Sequence, residues 1–256
     1  MKKYILTLIL ALASLGLYAQ TNRNKTIINA ALHGWEYEIK AGVNLGGTAP
    51  LPFPEEIRSI DGYNPTLSIT IEGNMTKWLD TKKKWGIITG LRLENKGMRT
   101  KATVKNYNME IIGYDGNRLK GNWTGGVRTK VQNSYITIPV LAAYKLSPRT
   151  TLKLGPYFSY LMDGDFSGHV YEGYLRETNP TGDKINFTNG AIATYDFSGD
   201  LRKFQWGVQA GVDWKAFKHL KVHADLNWGL NDIFNKDFKT VTFDMYAIYL
   251  NVGLDR

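Results

Sequence analysis

The amino-acid sequence predicts an all-β protein, an eight-stranded antiparallel transmembrane β-barrel in up-and-down order. The first observation is the segment from Phe204 to Leu230, where apolar residues alternate with polar or glycine residues along two runs of 11 residues. Because successive side chains of a strand point to opposite faces, each run has one apolar face. Eight such runs occur, and their connections are alternately long and short. Transmembrane barrels have this pattern, with short periplasmic turns and longer outer loops.

The amino-terminal end is typical of an exported protein. Lys2 and Lys3 precede an apolar stretch from Tyr4 to Leu17, and Ala19 supplies the small residue expected at a cleavage point. We therefore predict a signal peptide over residues 1–19, a short periplasmic lead over 20–33 and the barrel domain over 34–256. The apolar stretch is too short for a spanning helix, although an uncleaved anchor is the alternative. The chain has no cysteine, so this fold must form without disulfides.

Each predicted strand has apolar residues at most alternate positions. In the first half of the chain these faces run from Trp35 to Leu45, Leu67 to Gly73, Trp85 to Leu93 and Ile136 to Tyr144. In the second half they run from Leu152 to Tyr160, Phe204 to Trp214, Leu220 to Leu230 and Tyr246 to Leu254. The connections over 79–84, 147–150 and 215–219 are short, whereas 46–64, 95–133, 163–203 and 231–240 are interpreted as long loops. This order predicts that both termini lie in the periplasm.

The apolar faces are predicted to point outward, into lipid. Tryptophans such as Trp35, Trp85 and Trp214 lie near the ends of these faces, as in the aromatic girdles of membrane barrels. A soluble, lipocalin-like barrel with the apolar faces turned inward has the same alternation and is the alternative. In segment 95–133 the alternation continues through Thr100, Ala102 and Val104, which indicates that strands extend beyond the apolar band.

The polar faces carry charges of both signs, which predicts a network of ion pairs in the lumen. The residues assigned to it are Glu36, Glu38, Lys40, Glu72, Arg92, Glu94, Asp213, Lys221, His223 and Asp225. Eight strands enclose a space that side chains can fill, so we expect no open channel, with a charged pore as the alternative. Asp213 and Lys221 are equidistant from Phe217, and we expect them to face each other.

Parts of the later strands resemble a known family. The segments from Tyr135 to Val140 and from Leu154 to Leu161 resemble the signature hairpin of PorT-like outer-membrane β-barrel proteins, and Trp228 to Ile233 resembles a later strand. The resemblance covers roughly residues 35–254 and implies an eight-stranded outer-membrane barrel. One branch of that family is linked to protein secretion across the outer membrane. Thr137 departs from the family pattern, which often has Glu, and the chain ends in Leu254-Asp255-Arg256 without the terminal aromatic residue common in outer-membrane barrels.

One pair of residues raises the question of catalysis. His223 and Asp225 lie two positions apart on one inward face, and a His–carboxylate pair can act as a general base. We interpret the pair as part of the lumen network and predict no catalytic residue and no cofactor. An outer-membrane lipid-modifying enzyme is an alternative. Because the sequence shows no Cys-x-x-Cys motif and no His-rich cluster, no metal site is predicted.

The formal net charge is +9, and basic residues are concentrated in segment 95–133. The candidate binding residues are Lys96, Arg99, Lys101, Lys105, Arg118, Lys120, Arg128 and Lys130, against two acidic residues, Glu110 and Asp115. Basic groups bind phosphates, so we predict an anionic ligand, in particular the glycolipid of the outer leaflet; an ordinary solvated loop is the alternative. Nucleic acid is not predicted, because the segment is exported and no binding motif accompanies it.

The predicted function is that of a non-enzymatic, monomeric outer-membrane barrel with a binding or structural role carried by its outer loops. Its expected partners are outer-membrane lipid and glycolipid. The family resemblance adds a secretion-machine protein as a further partner, and with it the alternative of an accessory component in a secretion or transport system. Aromatic residues in segment 163–203, such as Phe166, Tyr171 and Tyr195, form either a binding surface or the packing of the loop on itself.

Overall fold

The computed structural model describes residues 33–113, 116–235 and 244–256, without the side chain of Asn189. The predicted signal peptide and residues 20–32 of the lead lie outside this part. The described residues form ten strands: β1 (Trp35–Pro50), β2 (Ile57–Pro65), β3 (Ser68–Trp78), β4 (Trp85–Ile112), β5 (Arg118–Lys145), β6 (Thr150–Glu177), β7 (Lys184–Asp196), β8 (Phe204–Phe217), β9 (Leu220–Gly229) and β10 (Met245–Asp255). One short 3-10 helix spans Ser198–Asp200. Among these residues no helix has the length and apolarity to cross a membrane.

Eight of the strands close into a ring in the order β1, β3, β4, β5, β6, β8, β9 and β10. Each pairs antiparallel with the next, and β10 returns to β1, where Val43 lies opposite Val252. Closure leaves no unpaired edge in the membrane, where an unsatisfied backbone group is costly. The prediction of an eight-stranded antiparallel barrel is confirmed.

The apolar faces of the barrel point outward. Leu226 is 45% exposed on the outer surface, whereas Gln209 is 0% exposed in the lumen. The same contrast holds along the strands, with Ile71 and Leu154 outside and Asp225 inside. An apolar outer surface around a charged interior suits lipid rather than water, so the inverted, soluble arrangement is excluded.

Three strands extend well past the membrane-spanning region. β4, β5 and β6 have 28 residues each, whereas a tilted strand crosses a bilayer with about 10. Their distal halves form a β-sheet extension in which β2 pairs with β4, and β7 pairs with β6. The interpretation of segments 46–64, 95–133 and 163–203 as loops is therefore wrong for most of their length, since β1 reaches Pro50 and β2 fills much of the first segment. The alternation noted at Thr100, Ala102 and Val104 belongs to β4.

The extension has an apolar core of its own. Its inward positions carry buried side chains such as Val131, Val170 and Trp123, and the rings of Trp123 and Phe187 meet edge to face with centroids 5.4 Å apart. Most aromatic residues of segment 163–203 belong to this core, including the buried Tyr195. Apolar burial of this extent holds the extended hairpins in sheet form outside the bilayer.

The turn between β8 and β9 differs from the symmetric turn expected from the sequence. β8 ends at Phe217 and β9 begins at Leu220, so the turn is centred between Lys218 and His219 rather than on Phe217. With a bulge between Lys215 and Phe217, Asp213 lies opposite His223 and Lys221 lies opposite Lys215. The expected pairing of Asp213 with Lys221 is therefore wrong. The facing pairs are set by the position of the turn and by the extra residue of the bulge, which moves the pairing by one position, so equal spacing from Phe217 does not predict them.

Candidate functional site

The end of the lumen near the short turns is closed by a cluster around Lys40. Its Nζ atom lies 3.2 Å from Asp213, 3.4 Å from Asp255 and 3.7 Å from Glu38. The ligand atoms of these three carboxylates lie within 4.8 Å of one another, a spacing that could hold a cation. The ammonium group of Lys40 occupies that role, because a buried carboxylate cluster needs a compensating positive charge.

The middle of the lumen is crossed by Arg92. Its guanidinium binds Glu72 on the neighbouring strand and donates hydrogen bonds to Gln209 at 2.8 Å and Asn227 at 3.3 Å. Asn227 lies on β9, four places from β4 around a ring of eight, so the contact joins opposite walls. Lys153 on β6 adds ion pairs with Asp213 on the adjacent strand β8 and with Asp225 on β9, so they link neighbouring strands.

Lys96 lies in the upper lumen rather than on a loop surface. Its Nζ is 3.2 Å from Glu94 and lies over the rings of Tyr135, Tyr157 and Tyr249 at 5.1, 5.2 and 5.8 Å. Lys96 points into the lumen from the same face of β4 as Arg92, so its assignment to an exposed basic loop is wrong. Cation–π contacts and the ion pair offset the cost of burying its charge.

The structure separates His223 from Asp225. One ring nitrogen of His223, Nδ1, meets the carboxylate of Asp255, and the other, Nε2, lies 2.7 Å from Asn251 Oδ1. Asp225 binds Lys153 instead, and the imidazole is buried in the lumen. The two residues thus take part in different contacts of one polar network rather than forming a dyad.

Two further predicted lumen residues lie at the rim. Glu36 accepts a hydrogen bond from Lys83 at 3.1 Å, and Lys221 donates to Glu38 at 2.7 Å. Both contacts are partly exposed, so they gain less from the low dielectric of the interior than the contacts of Lys40.

A cluster of basic residues occupies the outer face of the extension, and we call Arg99, Lys101, Arg128 and Lys130 the basic face. Arg99 lies directly opposite Lys130, and Lys101 directly opposite Arg128, in the ladder between β4 and β5. These are two successive outward-facing pairs of like charge. Lys130 is paired with Asp165 at 2.7 Å. Among the described residues, the other three have no carboxylate within ion-pair distance.

The ring of Tyr171 lies close to two cations of the basic face. Lys101 Nζ is 5.6 Å and the Arg128 guanidinium carbon 5.1 Å from its centroid. His169 lies opposite Arg128 in the next ladder and 6.1 Å from the Tyr171 ring. Burial, and then the charge of Arg128, lower the pKa of His169 below its ordinary value of 6.5. An imidazole in this position gains a proton more readily when an anion is nearby.

The remaining predicted binding residues lie further out. Arg118 pairs with Glu110 at 2.8 Å, while Lys105 and Lys120 are exposed. Asp115 lies outside the described residues. The eight basic residues are therefore divided among the lumen, the basic face and the tip of the β4–β5 hairpin, and they do not form one surface.

Sequence reasoning missed several residues of these sites. Asp255 and Asn251 in the lumen, and His169 and Tyr171 beside the basic face, were not assigned to them. Their places follow from the pairing of distant strands, as in the alignment of Lys101, Arg128 and His169 across three strands. No local sequence motif identifies residues that are aligned only by the pairing of strands.

The family of the chain follows from comparison with known sequences. The family described as outer membrane protein beta-barrel domain matches residues 18–235, which is most of the chain. The chain belongs to this family. As a member of the outer membrane protein beta-barrel domain family it is an outer-membrane protein, in agreement with its apolar outer surface. None of the curated protein sequences matches it.

Solved barrels are similar in fold but distant in sequence. The attachment invasion locus protein Ail of Yersinia pestis is 10% identical, with 88% of this chain and 99% of that one covered and a TM-score of 0.36. The neisserial surface protein NspA is 9% identical over 87% and 97%, with a TM-score of 0.31. The outer membrane protease OmpT of Escherichia coli is 13% identical over 86% and 95%, with a TM-score of 0.33. Likeness at this level says nothing about activity.

Proposed function

We propose that the protein is a non-enzymatic, monomeric outer-membrane barrel that binds the anionic headgroup of outer-leaflet glycolipid through its basic face. One observation carries the proposal, namely the two successive like-charged pairs, Arg99 with Lys130 and Lys101 with Arg128. Like charges directly opposite each other destabilise a sheet. A phosphate between them removes that repulsion and accepts charge-assisted hydrogen bonds from both strands.

The position of the basic face suits a headgroup. Leu93 is an exposed apolar residue of the lipid-facing surface, and Arg99 follows it on the same face of β4. Six residues of strand extend about 20 Å. Allowing for strand tilt, the basic face lies above the hydrocarbon region, at the level of polar headgroups. This proposal places the short turns and both termini in the periplasm.

The barrel itself serves in this proposal as a rigid, closed anchor. The crossing contact of Arg92 and the buried ion pairs of Lys153 fill the lumen, and the burial of His223 supports the non-enzymatic assignment. Membership of the PorT-like branch is also part of the proposal. It is supported by the segments 135–140 and 154–161, which resemble its signature hairpin and which pair with each other in β5 and β6. The secretion-accessory alternative has only that resemblance in its favour.

The test compares binding to vesicles that contain phosphorylated or dephosphorylated glycolipid. A Lys101→Ser/Arg128→Ser variant loses two cations, each contributing about 1 kcal/mol near an anionic surface, so we expect about 30-fold weaker binding. Binding of the wild type should also weaken as salt rises from low to physiological concentration.

A matched control removes two exposed cations at the opposite end of the barrel. The Lys215→Ser/Lys218→Ser variant has the same net charge, and we expect it to bind as the wild type does. Equal loss in both variants would show that only net charge matters. Capture of a protein complex by the tagged barrel from solubilised membranes, without glycolipid binding, would favour the secretion alternative.

A further inference from the structure

We propose that the extension contains a binding site for a small, uncharged molecule with a single aromatic ring. A partly open cavity of about 150 Å³ lies in the extension, between the distal halves of β4 and β5, the end of β1, and β2. The basic face is on the outer surface of the same strands, so this site is separate from the proposed glycolipid site. Met98, Ala102 and Val104 line the cavity, while Arg99 and Lys101 alternate with them and point outward.

The volume sets the size of the ligand. A space of about 150 Å³ lined by apolar side chains is large enough for benzene. A headgroup sugar or a full acyl chain is larger than this space. The site therefore suits one ring with at most a small substituent.

The lining sets the chemistry of the ligand. None of the described residues that line the cavity is Lys, Arg, His, Asp or Glu. The hydroxyl of Tyr195 contacts Thr129 at 2.6 Å and donates to the carbonyl of Arg128 at 3.0 Å, so its polar group is satisfied within the wall. Burial and then the charge of Glu56 raise the pKa of Tyr107 to about 12, so that hydroxyl stays neutral. A charged ligand would lose its hydration without compensation.

Sulfur and aromatic side chains favour a ring over an alkyl chain. Met98, Met109 and Met245 contribute to the lining together with Phe53 and Phe166. Thioether sulfurs make favourable contacts with the edges of aromatic rings, and aromatic pairs gain from offset or edge-to-face contact. Three methionines around one small cavity can adapt to the outline of a planar ligand.

The methionines also provide the experiment. The chain has six methionines, and three of them line the cavity. Met75 and Met162 are exposed on the outer surface. The protein is labelled with ¹³C at methionine methyl groups, refolded in detergent and titrated with toluene. We expect saturable shifts of the Met98 and Met109 signals, while Met75 and Met162 shift only in proportion to toluene dissolved in the detergent.

Three substitutions and two further probes complete the test. Ala102→Phe fills the cavity and should weaken binding by at least about tenfold, and Ala102→Val should weaken it less while perturbing the fold little. Thr103→Phe places the same ring on the outer face and should leave binding unchanged. Benzoate, which has the same ring with a negative charge, should produce no saturable shift. Parallel, unsaturable shifts of all the methionine signals, or saturable shifts with hexane but not with toluene, would overturn the proposal.

Discussion

Replacement of Lys40 by methionine should strongly destabilise the barrel. Lys40 is 3% exposed and is the ammonium group shared by Asp213, Asp255 and Glu38. Methionine has a similar length and no charge, so Lys40→Met removes the cation without opening a large cavity. The three carboxylates then remain close together with less positive charge to compensate their repulsion.

The magnitude follows from the spacing of the carboxylates. Two unit charges about 4.8 Å apart repel by about 3.5 kcal/mol at an effective dielectric constant of about 20. Each carboxylate keeps another contact, Asp213 with Lys153, Asp255 with His223 and Glu38 with Lys221. We therefore expect a loss of about 3–5 kcal/mol, the range for removing one partner of a buried ion pair.

Urea unfolding in lipid vesicles, followed by tryptophan fluorescence, measures this loss. The control is Lys221→Met, whose side chain is 38% exposed and makes a single ion pair with Glu38. Such a partly exposed pair contributes about 0–1 kcal/mol. A second variant, Lys40→Met/Asp213→Asn, removes one of the carboxylates and should be less destabilised than the sum of its single changes.

Equal losses for Lys40→Met and Lys221→Met would refute the reasoning, because burial would then have no influence on the cost. Strict additivity in the double variant would likewise show that Lys40 and Asp213 do not act on each other. Both comparisons require that the free energy of unfolding depends on urea concentration with the same slope in every variant, because an equal slope shows that the unfolding reaction is the same.

Three further outcomes are expected. Val208→Arg should lower the free energy of unfolding by about 2–4 kcal/mol, because it puts a cation on the lipid face, whereas Val208→Leu should leave it nearly unchanged. In planar bilayers the wild type should carry no steady current and Arg92→Ala should raise the conductance; stable open steps of the wild type would contradict the filled lumen. His169 should titrate below 6.5 by NMR, and Arg128→Ser should raise its pKa. Because protonated His169 adds a cation beside Arg128, glycolipid binding should strengthen as pH falls through that pKa, and pH-independent binding would count against this role.

The local pattern of the sequence was sufficient to predict the membrane-spanning part of the fold. Alternation along each strand identified the eight ring members and the outward faces, since side-chain direction has a period of two whatever the partner strand. It was not sufficient for segments 46–64, 95–133 and 163–203, where polar and glycine residues are frequent and β2 and β7 join the sheet at its margin. There the strands are held by an apolar core assembled from distant hairpins.

The sequence by itself determined that the protein is a barrel with an apolar exterior, a charged interior and an excess of basic residues in one segment. Only the tertiary structure decided which charges meet. Register placed Lys101 opposite Arg128, the position of the turn after Phe217 placed Asp213 opposite His223 rather than Lys221, and ring closure brought Arg92 within reach of Asn227. These contacts depend on strand pairing and on barrel diameter, and both are properties of the closed sheet rather than of any one strand.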